Sequence, residues 1–314
     1  MKWPFKRGAL EPGWLAVSLR PGEMSFAHGQ YVPGGTSIVD RCGTRALDGE
    51  FEGAERLAKE LGFDRYQCST LLAPGEYQLL LVDAPNVPRP ELKTAIRWRI
   101  KDLLDYHIDD ATVDLLGVPP NPAAGERPNS LYAVTARNDV IQACVGRFEA
   151  ARIPLSVIDI PETSQRNVAA LFERDERGLA MLHLGQHQGL LTINYRGELV
   201  LARRIEVGMQ DLLAAARGAA REEQFQRVLL ELQRTFDHFD RHFAYVPLAK
   251  LMLAPDPEDC GLLEFLAANL DLPLERVRLS GAIAFGSRAE LEPEEEWRLF
   301  HLIGAALRHE SKAL

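Results

Sequence analysis

The chain has 314 residues, enough for two domains with separate cores, and its 46% hydrophobic and 26% charged residues are ordinary for a soluble globular protein. The formal net charge of −9 argues against a general nucleic-acid-binding protein, which would need a basic surface. No apolar run approaches the ~20 residues that cross a bilayer, so no direct membrane span is expected. The four cysteines lie far apart in sequence and are expected to be reduced thiols rather than metal ligands.

The first seven residues, MKWPFKR, are basic but have no apolar stretch behind them, so they do not form a signal peptide. Two interpretations stay open for this segment. Its tryptophan, phenylalanine and lysines are suited to contact an anionic membrane surface. A disordered tail is the simpler alternative.

A three-strand pattern over residues 15–42 is the first element, and the same pattern returns over residues 179–207. Each copy consists of three apolar or alternating runs that are separated by glycine-containing turns, which is typical of strands joined by hairpins. Two such units, each followed by helical sequence, indicate a duplicated two-lobed α/β fold. The alternative is that any two β-meanders look alike.

Further strands and helices alternate along the chain, which predicts α/β architecture with a mixed sheet in each half. Strands are predicted at 67–72, 77–83, 112–118, 131–136, 155–160 and 251–253, and helices at 51–61, 88–104, 138–151, 161–172, 221–243, 261–270 and 294–308. Within residues 221–243, seven apolar residues form one continuous stripe, which predicts either a core helix or a partner surface. In residues 88–104, one face is apolar, and Arg97, Trp98 and Lys101 lie off it.

Several residue groups have side chains of the types that form catalytic, metal or phosphate sites. His238 and His242 have the i, i+4 spacing of metal ligands, but no third ligand is evident, and a surface pair is the alternative. Asp109 and Asp110 are either an acid–base pair or a solvated turn. The turn at 184–189 either cradles a phosphate with its backbone N–H groups or simply connects a hairpin. The sequence contains no P-loop, no nucleophile elbow and no dinucleotide-binding glycine motif.

In this order, the elements resemble the PilM family of actin-like type IV pilus assembly proteins. The most specific segment is LLLVDAPNVPRPELKTAIRWRIKDLLDYHIDDATVDLL, residues 79–116. Segments 155–172, 189–208, 229–243 and 303–308 carry the rest of the resemblance, which covers nearly the whole chain and is greatest to the members that serve mannose-sensitive haemagglutinin (MSHA) pili. The cytoplasmic domain of the secretion protein GspL is a related alternative.

The resemblance implies an α/β, actin-like (duplicated ribonuclease H-like) two-lobed fold with mixed sheets and a small inserted subdomain in lobe one. The first lobe is expected at 1–152, with the inserted subdomain at about 77–136. The second lobe is expected at 153–293. The segment 294–314 is expected to form a C-terminal helix that packs back on the first lobe.

PilM proteins bind ATP between their lobes, and this sequence departs from their motifs. Ser18 and His183 stand where the two phosphate turns are expected to carry an aspartate. Ala254, Pro255, Asp256 and Pro257 replace the glycine-rich adenosine turn. Without a carboxylate to hold Mg²⁺, the charge compensation needed for phosphoryl transfer is missing. We therefore expect no enzyme activity and no cofactor. If ATP still binds, the candidate contacts are Gly185, Gln186, Gly208 and Gly304.

The expected function is that of a cytoplasmic scaffold in MSHA-like pilus biogenesis, associated with the inner membrane through a partner. The expected partner is the short cytoplasmic end of a PilN- or MshJ-type membrane protein, with Arg97, Trp98 and Lys101 as contacts, while a second copy of the chain is a further candidate. Trp98 packing on the neighbouring lobe is the alternative to a binding role. The alternative functions are an active actin-like ATPase and a GspL-like secretion platform subunit.

Overall fold

The computed structural model describes residues 10–120, 130–174, 176–215, 219–286 and 290–309. The basic segment at residues 1–7, most of the polar loop before residue 130 and the last five residues lie outside these ranges. Within the described residues, no helix combines the length and the apolar character that a bilayer crossing requires.

The strands occur in three sheets. In chain order they are β1 (Trp14–Arg20), β2 (Glu23–Gln30), β3 (Ser37–Ala46), β4 (Gln67–Leu71), β5 (Tyr77–Asp83), β6 (Ala111–Gly117), β7 (Ser130–Arg137), β8 (Leu155–Asp159), β9 (Gly178–Leu184), β10 (Gly189–Tyr195), β11 (Glu198–Ile205), β12 (Leu248–Leu253), β13 (Leu274–Arg276) and β14 (Ile283–Ala284). The helices are α1 (Ala54–Glu60), α2 (Arg89–Ile100), α3 (Asn138–Ala150), α4 (Pro161–Ala170), α5 (Met209–Ala214), α6 (Ala219–His242), α7 (Leu262–Ala267) and α8 (Pro293–Ala306).

The two large sheets repeat one topology. Their strand orders are β14-β3-β2-β1-β4-β8 and β11-β10-β9-β12-β13. In each sheet, an antiparallel meander comes first, and the next strand of that sheet then pairs in parallel with the first strand of the meander, β4 with β1 and β12 with β9. The duplication predicted from residues 15–42 and 179–207 is therefore confirmed at the level of strand pairing.

The sequence explains the local geometry of the first meander. Arg20 pairs with Glu23, so Pro21 and Gly22 form a two-residue hairpin turn. Gly22 adopts φ 78°, in the left-handed region that glycine enters without a steric penalty. The central strands β9 and β10 are almost wholly buried, which is the pattern of strands covered on both faces.

A third, smaller sheet of order β5-β7-β6 is inserted between β4 and α3. One face is covered by α2, where Ile96 and Ile100 pack against Val113 and Leu115. The opposite face packs on the body of the protein, and there Tyr132 donates a hydrogen bond to the Val200 carbonyl in β11. This sheet and its helix form the small inserted subdomain.

The predicted lobe boundaries at 152/153 and 293/294 do not coincide with the positions at which the chain passes from one sheet to the other. β8 pairs with β4, so the first sheet continues to Asp159. β14 pairs with β3, so the chain has returned to the first sheet by Ile283. α8 then packs against α4 and against strands of the first sheet. Both differences arise because the sequence of a short strand beside a crossover does not indicate which sheet the strand joins.

The apolar stripe of α6 lies in the core of the second lobe. Six of its seven residues are buried, namely Phe225, Val228, Leu229, Leu232, Phe239 and Phe243. Phe236 is partly buried against the same cluster. The core interpretation of this helix is therefore confirmed.

Candidate functional site

The resemblance places the phosphate contacts of a nucleotide at two hairpin turns, the β1–β2 turn and the β9–β10 turn. Ser18 lies in β1, half-buried and opposite Ser25. His183 lies in β9 and is buried. Neither position carries a carboxylate, and the one acid at the first turn, Glu23, accepts a hydrogen bond from Arg298 of α8 at 3.0 Å.

The β9–β10 turn is occupied by contacts within the chain. Its ends are joined by a hydrogen bond from the Gly185 N–H to the Gln188 carbonyl at 3.0 Å. The first N–H groups of α5 donate to the Gly185 and Gln186 carbonyls at 2.8 and 3.0 Å. A Cβ atom on Gly208 would lie 2.4 Å from the Gln186 oxygen, so glycine permits this close approach. The structure thus brings Gly185, Gln186 and Gly208 together. The first N–H groups of α5, which would otherwise bind an anion, already donate to the carbonyls of the turn.

His183 is enclosed by side chains of α8. Its ring stacks on Phe300 with centroids 4.9 Å apart and meets His301 edge-on at 4.5 Å. Burial lowers the pKa of His183 to about 4, an effect that a hydrogen bond with the Trp297 backbone partly opposes. His301 has its pKa lowered well below 6.5 by burial and by the neighbouring His183 and Arg20. Both imidazoles are therefore neutral at physiological pH.

Helix α8 contacts both turns with two consecutive residues. Trp297 donates its indole N–H to the Leu184 carbonyl at 2.7 Å, at the second turn. Arg298 pairs with Glu23 at the first turn. One helix therefore contacts the hairpin turns of both large sheets.

Gly304 lies further along α8, where the helix crosses α4. A Cβ atom at this position would be 2.3 Å from the Ser164 carbonyl oxygen. Asn167 donates to the Gly304 carbonyl at 3.0 Å, and Ser164 donates to the His301 carbonyl. The structure thus gives Gly304 a helix-packing role, separate from the turn that holds Gly185, Gln186 and Gly208.

The segment that replaces the adenosine turn is held by an ion pair. Asp256, between the two prolines, pairs with Arg276 of β13, which also contacts Asp259 at 3.2 Å. Burial raises the pKa of Asp256, and the Arg276 guanidinium opposes that shift. Pro255 and Pro257 offer no N–H donors to a ligand.

The predicted partner contacts on α2 differ in their surroundings. Arg97 donates to the Ala111 and Ile108 carbonyls at 2.9 and 2.6 Å, so it fixes α2 to the segment before β6. Trp98 is 68% exposed, and the Lys101 ammonium lies 5.5 Å from its ring centroid. The alternative in which Trp98 packs on the neighbouring lobe is therefore wrong, whereas its role in partner binding stays a prediction.

The other candidate sites are surface features. His238 and His242 stack at 4.1 Å on the exposed side of α6, and no group of three metal-ligating side chains occurs among the described residues. Asp109 and Asp110 are both exposed. These positions fit the surface-pair and solvated-turn interpretations.

Sequence reasoning missed a buried polar junction between the inserted subdomain, α4 and the second lobe. Tyr77 of β5 donates to the Glu162 carboxylate, and Arg204 of β11 reaches the other carboxylate oxygen at 3.4 Å. The Arg204 guanidinium also lies 4.9 Å from the Tyr77 ring centroid. Burial and Glu162 raise the pKa of Tyr77, so its phenol stays protonated. No local pattern connects residues so far apart in sequence.

No family model matches the chain, and no curated protein is similar to it in sequence. The structure is similar to a chain of the PilM–PilN type IV pilus biogenesis complex, with a TM-score of 0.69, 16% identity, and coverage of 96% of this chain and 98% of that one. The chain has an actin-like fold.

Two more distant solved structures are the cytoplasmic domain of EpsL from the type II secretion system of Vibrio cholerae and a protein with an actin-like ATPase fold from Bacteroides thetaiotaomicron. EpsL has a TM-score of 0.46 and 14% identity, and the match covers 93% of this chain and 94% of that one. The Bacteroides protein has a TM-score of 0.48 and 10% identity, with coverages of 88% and 94%.

Proposed function

We propose that the chain is a scaffold of type IV pilus assembly that binds the short cytoplasmic end of an inner-membrane protein of the PilN type. The observation that carries the proposal is the end-to-end similarity to a chain of the PilM–PilN complex, together with the motif segment at 79–116. That segment favours the MSHA branch, with a role of the MshI type and an MshJ-like partner. The protein would be cytoplasmic and reach the inner membrane through this partner.

We further propose that the scaffold works without turning over nucleotide. The two hairpin turns lack the carboxylates that would hold Mg²⁺, and Glu23 is engaged by Arg298. His183, at the position where the resemblance expects an acidic turn residue, packs against Phe300 and His301. Trp297 and Arg298 of α8 contact both turns, so groups within the chain already occupy them.

Incubation of the purified chain with Mg-ATP is expected to release phosphate no faster than a heat-inactivated sample. The reason is that neither Ser18 nor His183 supplies the carboxylate expected to compensate charge near a γ-phosphate. A malachite green assay checks the rate, and equilibrium dialysis with labelled ATP checks residual binding. Hydrolysis above background that is lost on changing His183 or Gly208 would support the active ATPase instead.

Trp98→Ala is expected to weaken binding of the partner peptide by roughly 1–3 kcal/mol and to leave the melting temperature nearly unchanged. The side chain is 68% exposed, so its removal leaves no cavity in the core. Fluorescence anisotropy with the labelled N-terminal cytoplasmic peptide of the PilN-type protein from the same organism measures the affinity.

Leu230→Ala is the matched control for Trp98→Ala, because Leu230 is also a large exposed apolar residue, 46% accessible, but lies on α6 of the other lobe. It is expected to bind the peptide like the parent protein. If both variants bind the peptide with equal affinity, the α2 surface does not contact the partner. Failure of the unaltered chain to bind any such peptide would contradict the scaffold proposal itself.

A further inference from the structure

The basic segment at residues 2–7 is a sequence feature that the proposed function does not use. It contains three cations, two aromatic rings and no carboxylate, namely Lys2, Trp3, Phe5, Lys6 and Arg7. Because the whole chain has a net charge of −9, this local excess of positive charge departs from the rest of the sequence. Tryptophan and phenylalanine favour the boundary between water and lipid hydrocarbon, and cations are attracted to anionic headgroups. The composition of the segment therefore fits the surface of an anionic bilayer.

The residues that follow this segment are fixed to the first sheet. His28 of β2 donates from Nε2 to the Pro12 carbonyl at 3.0 Å. The Glu11 N–H donates to the Arg65 carbonyl at 2.9 Å, and the Glu11 carboxylate pairs with the Arg65 guanidinium. Glu11 is the one carboxylate among residues 1–22, and Arg65 compensates its charge. The three cations therefore have no uncompensated acid beside them in the chain.

The surface beside Leu10 is uncharged and partly apolar. Residues 30–39 span the connection from β2 to β3 and contain no charged side chain except Asp-free neighbours of the strand ends, as the run QYVPGGTSIV shows. Ile38 in this run is 41% exposed, and Leu10 is 42% exposed. Both lie at one end of the first sheet, because β1 begins at Trp14 beside the end of β2 and Ile38 pairs with Gln30 at that same end. The described part of the chain thus offers an apolar surface next to the basic segment.

The surface formed by Leu10 and Ile38 is separate from the sites described above. β1 runs from Trp14 to Arg20, so the β1–β2 turn lies at its other end, about 20 Å away. β4 runs parallel to β1, and the inserted subdomain follows the end of β4 that is on the side of this turn. A contact at Leu10 and Ile38 therefore does not use the α2 surface.

We propose that residues 2–7, with Leu10 and Ile38, form a direct contact with an anionic phospholipid bilayer. In this contact the two aromatic rings enter the headgroup region, and the three cations attract acidic headgroups. One short segment of this kind gives reversible attachment, because stable anchoring takes two signals. The proposed PilN-type partner supplies the second signal, and each contact raises the effective concentration for the other. The inference goes beyond the proposed function, since the lipid contact itself needs no partner protein.

Sedimentation of the full chain with vesicles tests the lipid contact. One set of vesicles contains equal amounts of phosphatidylglycerol and phosphatidylcholine, and the other contains phosphatidylcholine alone. We expect the chain to sediment with the anionic vesicles only, and the bound fraction to fall as the salt concentration rises. The combined variant Lys2→Gln, Lys6→Gln and Arg7→Gln is expected to bind roughly 100-fold more weakly, because each cation near an anionic surface contributes roughly fivefold.

The matched control removes three exposed cations from the other lobe, by Arg227→Gln, Arg234→Gln and Arg241→Gln on α6. It changes the net charge equally and is expected to bind anionic vesicles like the parent. Leu10→Ser combined with Ile38→Ser is expected to weaken binding severalfold, which tests the described part of the surface. Equal losses in the two triple variants would mean that net charge alone determines binding, and equal binding to both kinds of vesicle would exclude recognition of anionic lipid. Either result overturns the proposal.

A second measurement locates Trp3. Anionic vesicles that also contain brominated phosphatidylcholine quench tryptophan fluorescence at short range, so we expect them to quench the parent strongly and Trp3→Phe much less. Trp3→Phe is expected to bind with nearly the parent affinity, because phenylalanine keeps an aromatic ring at the interface. Equal quenching of both proteins would place another tryptophan at the bilayer and overturn the assignment to residues 2–7.

The scaffold function is tested separately from the lipid contact. Binding of the chain to polyglutamate without binding to anionic vesicles would mean that the segment recognises an acidic protein, and the lipid contact would then be wrong. The triple variant of Lys2, Lys6 and Arg7 is expected to bind the peptide of the PilN-type protein in solution like the parent. Failure of the lipid contact therefore leaves the scaffold function standing, whereas failure to bind the peptide contradicts the scaffold function alone.

Discussion

Gly304→Ala is expected to lower the free energy of unfolding by about 3 kcal/mol, at the upper end of the usual effect of overpacking a close contact. The added Cβ would lie 2.3 Å from the Ser164 carbonyl oxygen and 2.9 Å from its carbon, so backbone atoms would have to move. Separation of α4 and α8 would also stretch the hydrogen bond from Asn167 to the Gly304 carbonyl. Urea denaturation followed by circular dichroism measures the change.

Gly146→Ala is the matched control, because it makes the same substitution within a helix. Gly146 lies in α3, and a Cβ there would meet nothing within 4 Å. This variant is expected to be more stable than the parent by about 0.5–1 kcal/mol, the usual gain from replacing glycine inside a helix. If both variants gain stability, the close crossing of α4 and α8 does not exist in solution.

The sequence predicts the sheets and the long helix well because their burial follows a regular period. Alternation and glycine turns reveal the two meanders, and the 3.6-residue spacing of apolar residues reveals α6. Each of these patterns is local, so it can be detected without knowledge of the fold. The repeat of the meander indicates two lobes, and the resemblance adds the actin-like arrangement and the inserted subdomain, which no period reports.

Helix α4 shows where this reasoning stops. Its sequence, PETSQRNVAA, is mostly polar and would suit a surface, yet nearly every residue is buried. Its side chains are buried because distant groups satisfy them: Gln165 donates to the Met181 and Leu190 carbonyls at 2.8 and 3.1 Å. Buried polar residues are retained when they are hydrogen-bonded, and their partners can be found only from the three-dimensional structure.

The same limit applies to the candidate site. The sequence shows that Ser18 and His183 replace the expected aspartates. It does not show that α8 contacts both hairpin turns, because Trp297 and Arg298 lie more than a hundred residues from the turns they touch.

The free energy of unfolding of the parent protein is expected to fall between pH 7.5 and pH 4, and His183→Phe is expected to reduce that fall by up to about 3 kcal/mol. The pKa of His183 is lowered from 6.5 to about 4 in the folded protein, so the unfolded chain binds an additional proton within that window. The contribution of His183 to the free energy of unfolding is therefore fully present above pH 6.5 and is lost as the pH falls toward 4. Phenylalanine keeps the stacking on Phe300 and cannot titrate.

The comparison of variants isolates His183 from the carboxylates that also titrate at acid pH. Urea unfolding of the parent and of His183→Phe, repeated at half-unit steps of pH, gives two curves whose difference belongs to this side chain and to its effect on His301. His238→Gln is the control, because it also removes one imidazole but from the exposed side of α6, away from the cluster of His183, Phe300 and His301. Parallel curves for the parent and His183→Phe would mean that the imidazole is solvated in the folded state. The enclosure of His183 by α8 would then not hold in solution, and the proposal that contacts of α8 occupy the β9–β10 turn would lose its structural basis.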